Sequence, residues 1–200
     1  MGASLITYYK LMWPQDGPGG IAYAPEPFKL WLNPGETYLE TWEEPTFLLR
    51  DGPFTDYLPN DVGVPLCSSK MRAIIDSGKH PSDLIEWLPV TVRDDNYTDQ
   101  LFNPDTLDLL PVGNAEIREQ TYHILHLLEE LDVVDLSRSI VAATDFVVKP
   151  HLILEKVGDH QILRYKGSGS GMAICVSNRL RLTLIELGST GCSFWRIPAT

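Results

Sequence analysis

The sequence predicts an α+β protein in which mixed or antiparallel sheets are combined with a few helices. Hydrophobic residues make up 44% of the chain and charged residues 22%, which is typical of a domain with a packed core. Short apolar segments alternate with prolines and glycines, as strands alternate with turns. A serine, a helical pattern and a glycine occur in that order at two places in the chain, which indicates helices between strands.

The chain divides by composition into two regions, which we expect to form one compact domain. Residues 1–64 are rich in proline and tryptophan and show no sustained helical period. They are predicted to form short strands and ordered loops, with an opening strand within residues 5–13. Residues 65–200 are predicted to be the main α+β region.

The clearest predicted helix spans residues 115–131. Asn114 is a suitable N-cap, and Ile117, Ile124 and Leu128 recur at helical spacing. The other predicted elements of this region are a helix at 68–77 with Ser68 or Ser69 as its cap, strands at 84–92, 152–155, 161–165, 172–176 and 192–197, and a helix at 180–187.

One pattern occurs twice in approximate form and predicts two similar β-helix-β units. Each copy has an apolar strand, a serine, a helix, a glycine, a tryptophan and a proline. Two such units can bury their helices in one core. The residues are Ser69, Gly78, Trp87 and Pro89 in the first copy, and Ser177, Gly188, Trp195 and Pro198 in the second.

The charge of the chain restricts its partners. The net charge is -11, so nucleic acid and anionic membranes are predicted to be repelled, whereas a basic protein is attracted. All but three of the 27 acidic residues precede residue 151. With no signal-peptide pattern and three cysteines without a CxxC pair, the expected location is the cytoplasm. The oligomeric state is left open.

Acidic and aromatic residues are interleaved between residues 36 and 61, and this segment is the predicted partner-binding site. Aromatic side chains anchor interfaces, and acids steer a basic partner toward them. The alternative is that the rings belong to the core and the acids only to the solvated surface. The candidate residues are Glu36, Glu40, Trp42, Glu43, Glu44, Asp51, Asp56, Tyr57 and Asp61.

Catalytic and cofactor motifs are weak in this sequence. Glu119, His123 and His126 would lie on neighbouring turns of the predicted helix, where they could bind one metal ion, although a solvated polar face is the more usual origin of such spacing. The glycines at 167, 169 and 171 are not followed by the Lys and Ser/Thr of a phosphate-binding loop, so they are predicted to form a turn. Cys67 and Cys175 are expected to be buried structural thiols. No cofactor or catalytic residue is predicted, so the sequence favours a binding protein over an enzyme.

Several stretches resemble a family of bacterial polymorphic-toxin immunity proteins, first named from a myxobacterial member. They cover residues 65–75, 86–90, 103–108 and 162–167, followed by Val176 to Leu184, Gly188, Gly191 and Phe194. The resemblance implies a protein that binds and inhibits a co-encoded toxin in the producing cell. One form of this hypothesis is that the toxin is a basic nuclease. The alternatives are a metal-dependent enzyme using Glu119, His123 and His126, or a non-inhibitory adaptor of a secretion system.

Overall fold

The computed structural model describes residues 6–14, 20–25, 32–50, 52–94, 118–142, 146–169 and 173–200. Within these ranges the chain forms thirteen strands and three helices, which confirms the predicted α+β class. The strands are β1 (Tyr8–Met12), β2 (Ile21–Tyr23), β3 (Thr46–Arg50), β4 (Tyr57–Leu58), β5 (Leu66–Ser68), β6 (Ile85–Asp94), β7 (Glu119–Leu127), β8 (Glu130–Leu131), β9 (Ile140–Val141), β10 (Val147–Lys149), β11 (Ile162–Tyr165), β12 (Ile174–Ser177) and β13 (Ser193–Ile197). The helices are α1 (Ser69–Gly78), α2 (Leu154–Val157) and α3 (Asn178–Glu186).

The larger sheet has six strands in the order β2-β3-β6-β7-β5-β4 and curls into a half-barrel. Its two edges meet where Ala22 of β2 bridges Asn60, and the Ala22 amide donates to the Pro59 carbonyl at 2.9 Å. The concave side encloses a core that we call the half-barrel core, formed by Ala22, Phe47, Leu49, Leu58, Val64, Leu66, Leu88, Val90, Val92, Tyr122 and Ile124.

A second sheet has five strands in the order β13-β1-β12-β11-β8, so β1 from the N-terminal region lies between two C-terminal strands. A shared core joins this sheet to the half-barrel sheet and to helices α1 and α3; its members include Leu11, Cys67, Met71, Trp87, Leu125, Ile174, Val176, Leu180 and Leu184. Residues before position 65 therefore contribute strands to both sheets. Strands β9 and β10 form a separate two-stranded sheet.

The two predicted β-helix-β units are β5-α1-β6 and β12-α3-β13. In each unit the two strands run parallel because a third strand lies between them and is antiparallel to both. That third strand is β7 in the first unit and β1 in the second. The helices α1 and α3 pack together closely. A Cβ added to Gly78 would lie 2.9 Å from Cδ1 of Leu180.

The helix caps of the two units are equivalent in detail. Ser68 caps α1 with φ -63° and ψ 161°, and Ser177 caps α3 with φ -64° and ψ 159°. Each hydroxyl oxygen accepts a hydrogen bond from the amide three residues later, at 3.1 Å. Each serine also donates its own amide and its hydroxyl to a single residue, Asp56 in the first unit and Gln161 in the second. The true cap of the first helix is therefore Ser68 rather than Ser69.

The tryptophans of the repeat are not equivalent. Trp87 packs in the shared core, whereas Trp195 is 55% exposed. The match between Trp87 and Trp195 in the sequence is therefore fortuitous, and Phe194 is the β13 residue that packs against the shared core.

The predicted helix at residues 115–131 is wrong, because residues 119–127 form strand β7. This strand lies at the centre of the half-barrel sheet, and Tyr122 to Leu127 are all buried. A strand buried on both faces is apolar without alternation, and such a run also fits helical spacing. The predicted strand at 152–155 is also wrong in large part, since Leu154–Val157 is the short helix α2. The start of the predicted helix and residues 103–108 lie outside the described residues.

We predict that Asp56 stabilises the fold in a pH-dependent way. Its carboxylate accepts hydrogen bonds from Ser68, Lys70 and Thr190 and so ties α1 to the turn after α3. Burial raises the pKa of Asp56, but these hydrogen bonds outweigh it and the net pKa is lowered. The stabilisation is therefore complete above the unfolded-state pKa of about 3.9 and is lost as pH falls through the folded-state pKa.

Asp56→Ala should lower the free energy of unfolding by about 2 kcal/mol at pH 7, and this loss should shrink below about pH 4. Gln161→Ala is the matched control, because Gln161 occupies the equivalent place beside Ser177 and its amide does not titrate. Urea unfolding between pH 3 and 7 measures both variants. Parallel pH profiles for the two would contradict the prediction.

Candidate partner-binding surface

The predicted binding site centres on residues 33–44, which we call the acidic segment. It follows strand β6, to which it is attached through Glu86, Pro89 and Thr91. The Gly35 amide donates to the Leu128 carbonyl at 2.6 Å, and the Trp42 indole Nε1 donates to the Pro89 carbonyl at 2.7 Å. Tyr38 and Trp42 pack against the half-barrel core. The segment therefore has an apolar inner side that is attached to the sheet and an acidic outer side.

A buried carboxylate holds the middle of the acidic segment. Glu86 of β6 is only 9% exposed. Its oxygens accept hydrogen bonds from the Tyr38 amide at 3.0 Å and from the Leu39 amide at 2.9 Å. These amides lead into the 3-10 helix Leu39–Thr41, where unsatisfied N–H groups favour a negative charge. Glu86 thus fixes the backbone from which Leu39 and Glu40 project.

His126 fixes the start of the segment from the neighbouring strand. It lies opposite Glu86 in the β6–β7 pair, and its Nε2 is 3.0 Å from the Glu36 carbonyl oxygen. Because that oxygen can only accept, Nε2 carries the proton and donates it. Burial lowers the pKa of His126, so the ring is neutral at pH 7. The ring also meets Tyr38 edge to face, with 5.4 Å between centroids.

Two glutamates of the segment are engaged within the fold. The Glu36 carboxylate accepts hydrogen bonds from the Tyr38 hydroxyl at 2.6 Å and from the side-chain amide of Asn33 at 3.2 Å. These bonds lower the pKa of Glu36. Glu44 accepts from the Thr91 hydroxyl at 2.7 Å. Both remain exposed, so their negative charges contribute to the surface while their positions are restricted.

Glu40 and Glu43 face solvent and are free to meet a partner. Neither forms an ion pair or a hydrogen bond with a side chain in the part of the chain that the structure describes. Leu39 lies beside Glu40 and is 55% exposed. A large apolar side chain among acids combines the two features of a protein interface, an apolar contact and a polar rim.

Two of the predicted binding residues have a different role. Tyr57 is 2% exposed and packs in the shared core, so its ring is not available to a partner. The Asp56 carboxylate is engaged by Ser68, Lys70 and Thr190, as described above. Asp61 is exposed and accepts from the Ala24 amide at 2.9 Å, and Asp51 lies outside the described residues. The remaining candidates, apart from Asp61, are those of the acidic segment.

The three residues proposed to share a metal ion are separated by the strand geometry. Alternate residues of a strand point to opposite faces, so His123 and His126 lie on different sides of the sheet. His123 contacts Trp87 on the side of the shared core, and Glu119 is paired with Arg93 at 2.6 Å. These three residues therefore cannot bind one metal ion together. Among the described residues there is no group of three His, Cys, Asp or Glu side chains placed to hold one.

The cysteines are free thiols, and Cys67 and Cys175 are buried, as expected. Burial raises the pKa of Cys175 to about 12 and that of Cys192 to about 11. The pKa of Cys67 is raised further by burial. Thiols with such pKa values remain protonated at neutral pH and are poor nucleophiles. The described part of the glycine-rich stretch, Gly167 to Gly169, forms a turn with positive φ at both glycines.

Sequence reasoning missed the residues that hold the acidic segment in place. Glu86 interrupts an otherwise apolar strand, Ile85 to Val90, and an acid in such a run is a signal of a buried, hydrogen-bonded carboxylate. The sequence pattern places His126 either in a metal site or on a solvated helix face. Its partner is a backbone carbonyl 90 positions away, which no local pattern reveals.

A scan against protein-family models gives no match, and a search of curated proteins gives none. Across the described ranges, none of the helices has the length and apolar character that crossing a membrane requires.

We predict that Glu86 controls the order of the acidic segment. Glu86→Ala leaves the Tyr38 and Leu39 amides without their acceptor and should lower the free energy of unfolding by about 2 kcal/mol. Hydrogen exchange of these two amides should become at least tenfold faster. Glu40→Ala, which removes an unbonded carboxylate from the same segment, is the control and should change neither quantity. Unaltered hydrogen exchange at residues 38 and 39 in Glu86→Ala would show that Glu86 does not order the acidic segment.

Proposed function

We propose that this protein is a cytoplasmic immunity protein that binds a cognate toxin and neutralises it by protein–protein contact. The observation that carries the proposal is the acidic segment, in which Glu40 and Glu43 project from a backbone fixed by Glu86 and His126. A surface whose backbone is already ordered loses little conformational entropy when it binds. Its charge favours a basic partner.

The stretches that resemble the immunity-protein family support the same function. Within the described residues most of them fall in the two units: residues 65–75 form β5 and the first part of α1, and residues 86–90 lie in β6. The stretch at 103–108 lies outside the described residues, the stretch at 162–167 contains β11, and the last runs from β12 through α3 to β13. The resemblance thus concerns the scaffold, while the acidic segment lies outside it. Such a division fits a family in which one scaffold carries a different binding surface for each toxin.

A basic nuclease is the toxin that suits this surface best. Enzymes that cleave nucleic acids bind phosphates through lysine and arginine. An acidic segment can occupy such a cleft and exclude the substrate. Inhibition then follows from binding alone and requires no catalysis by the immunity protein.

The first test is co-expression with the product of the adjacent gene. If the function is correct, that product stops growth when expressed alone, and growth is restored when this chain is co-expressed and forms a complex with it. Binding without restored growth would favour a non-inhibitory adaptor. A harmless neighbour, or no complex, would remove the support for an immunity role.

The second test uses charge reversal with a matched control. Glu40→Lys/Glu43→Lys should slow association with the toxin about tenfold at low ionic strength and reduce its salt dependence. Glu155→Lys/Glu186→Lys makes the same change in net charge on exposed positions of the C-terminal quarter and should have a much smaller effect. Equal rate constants for the two variants, measured by stopped-flow fluorescence, would exclude the acidic segment from the interface.

A further inference from the structure

A cavity of about 250 Å³ opens beside the start of the acidic segment. It lies between the two sheets, and strands β7, β11 and β12 contribute to its walls. Four of the residues that line it are aliphatic and buried: Val64, Leu125, Leu127 and Ile174. Cofactors and drug-sized ligands occupy cavities of roughly 300–1,000 Å³. The smaller volume here is suited to a single large side chain.

Among the residues that the structure describes, one charged side chain lines this cavity. Arg164 of β11 is only 8% exposed. Its Nε lies 2.7 Å from Oε1 of Glu130, in an ion pair that is close but not aligned as a hydrogen bond. Its Nη2 donates to the Gly169 carbonyl at 3.2 Å. Because Glu130 neutralises the charge and two nitrogens are engaged, a carboxylate ligand gains little here. The flat face of the guanidinium instead suits an aromatic ring.

The cavity is continuous with the acidic segment. Asn33 is exposed and lines the cavity, and its side-chain amide donates to the Glu36 carboxylate at 3.2 Å. His126 belongs to both features, since it lines the cavity and holds the Glu36 carbonyl. A protein that docks on the acidic segment therefore places neighbouring residues over the cavity mouth.

The geometry points to this cavity as the receptor for one aromatic side chain of the partner protein, bordered by basic residues that meet Glu36 and Glu40. This inference rests on the proposed binding role of the acidic segment. Buried aromatic anchors in a pocket, surrounded by a polar rim, supply much of the affinity of protein complexes. The aromatic ring contributes binding free energy, and the acidic residues raise the association rate constant.

The pocket is tested first without any partner protein, by methyl NMR of Leu125, Leu127 and Ile174. p-Cresol and indole serve as probes for aromatic side chains, and hexanoate and cyclohexanol serve as aliphatic probes. The aromatic probes should shift these methyl signals saturably and bind at least fivefold more tightly than the aliphatic ones. Absent shifts, or tighter binding of hexanoate, would overturn the inference.

Two variants locate the binding within the cavity. Leu32→Trp fills it from its partly buried rim and should abolish the p-cresol shifts, whereas Leu182→Trp, on the exposed face of α3, should not. Arg164→Lys keeps the positive charge beside Glu130 but removes the flat face, so p-cresol should bind about fivefold more weakly. Undiminished binding to Leu32→Trp would place the probe elsewhere and overturn the inference.

The last step uses the complex with the toxin. Its formation should shift the same methyl signals, and p-cresol should compete with it. If the complex forms and the toxin is inhibited while these methyl signals stay unchanged, the assignment of the cavity to an aromatic side chain of the partner is wrong. The immunity function then still stands. If p-cresol binds but the neighbouring gene product does not, the cavity serves a free aromatic molecule, and the assignment to a partner side chain is overturned.

Discussion

The packing of α1 against α3 is the contact on which the rest of the structure depends. Each helix belongs to a different sheet, so their contact and the shared core are what join the half-barrel sheet to the five-stranded sheet. The helices approach so closely at Gly78 that a Cβ there would lie 2.9 Å from Cδ1 of Leu180, and the Leu180 side chain would have to shift. Two equivalent serine caps set where each helix begins, and they do so through the same pair of bonds to Asp56 and Gln161. The duplicated arrangement gives the fold approximate internal symmetry that the sequence only partly preserves.

The acidic segment depends on this scaffold in turn. A buried carboxylate is costly unless its oxygens are satisfied, and Glu86 is satisfied by the amides that it positions. The same interaction therefore offsets the desolvation of Glu86 and orders the segment. Glu40 and Glu43 carry no such constraint, so their identity can change without disturbing the core. Substitutions at these two positions therefore change the charge of the surface while the sheet beneath it is retained.

The units formed by β5-α1-β6 and β12-α3-β13 could be predicted because their signals are local: a serine cap, a helical period and a glycine stop. Strand β7 could not, because burial on both faces removes the alternation that identifies a strand. The error at β7 also produced the apparent metal site, since the spacing of Glu119, His123 and His126 has meaning only on a helix. The acidic segment was recognised by composition, but the burial of Tyr57 and the anchoring by Glu86 depend on distant parts of the chain. Local patterns do not specify such contacts.

The bridge between Ala22 and Asn60 affects how other proteins can bind to the edge of the six-stranded sheet. Open strand edges are sites where foreign strands add and where proteins aggregate. In the six-stranded sheet the outermost strands β2 and β4 are brought together by this bridge, so the sheet offers little backbone for strand addition there. Recognition at this end of the molecule must rely on side chains, whose chemistry is far more selective than that of a bare backbone.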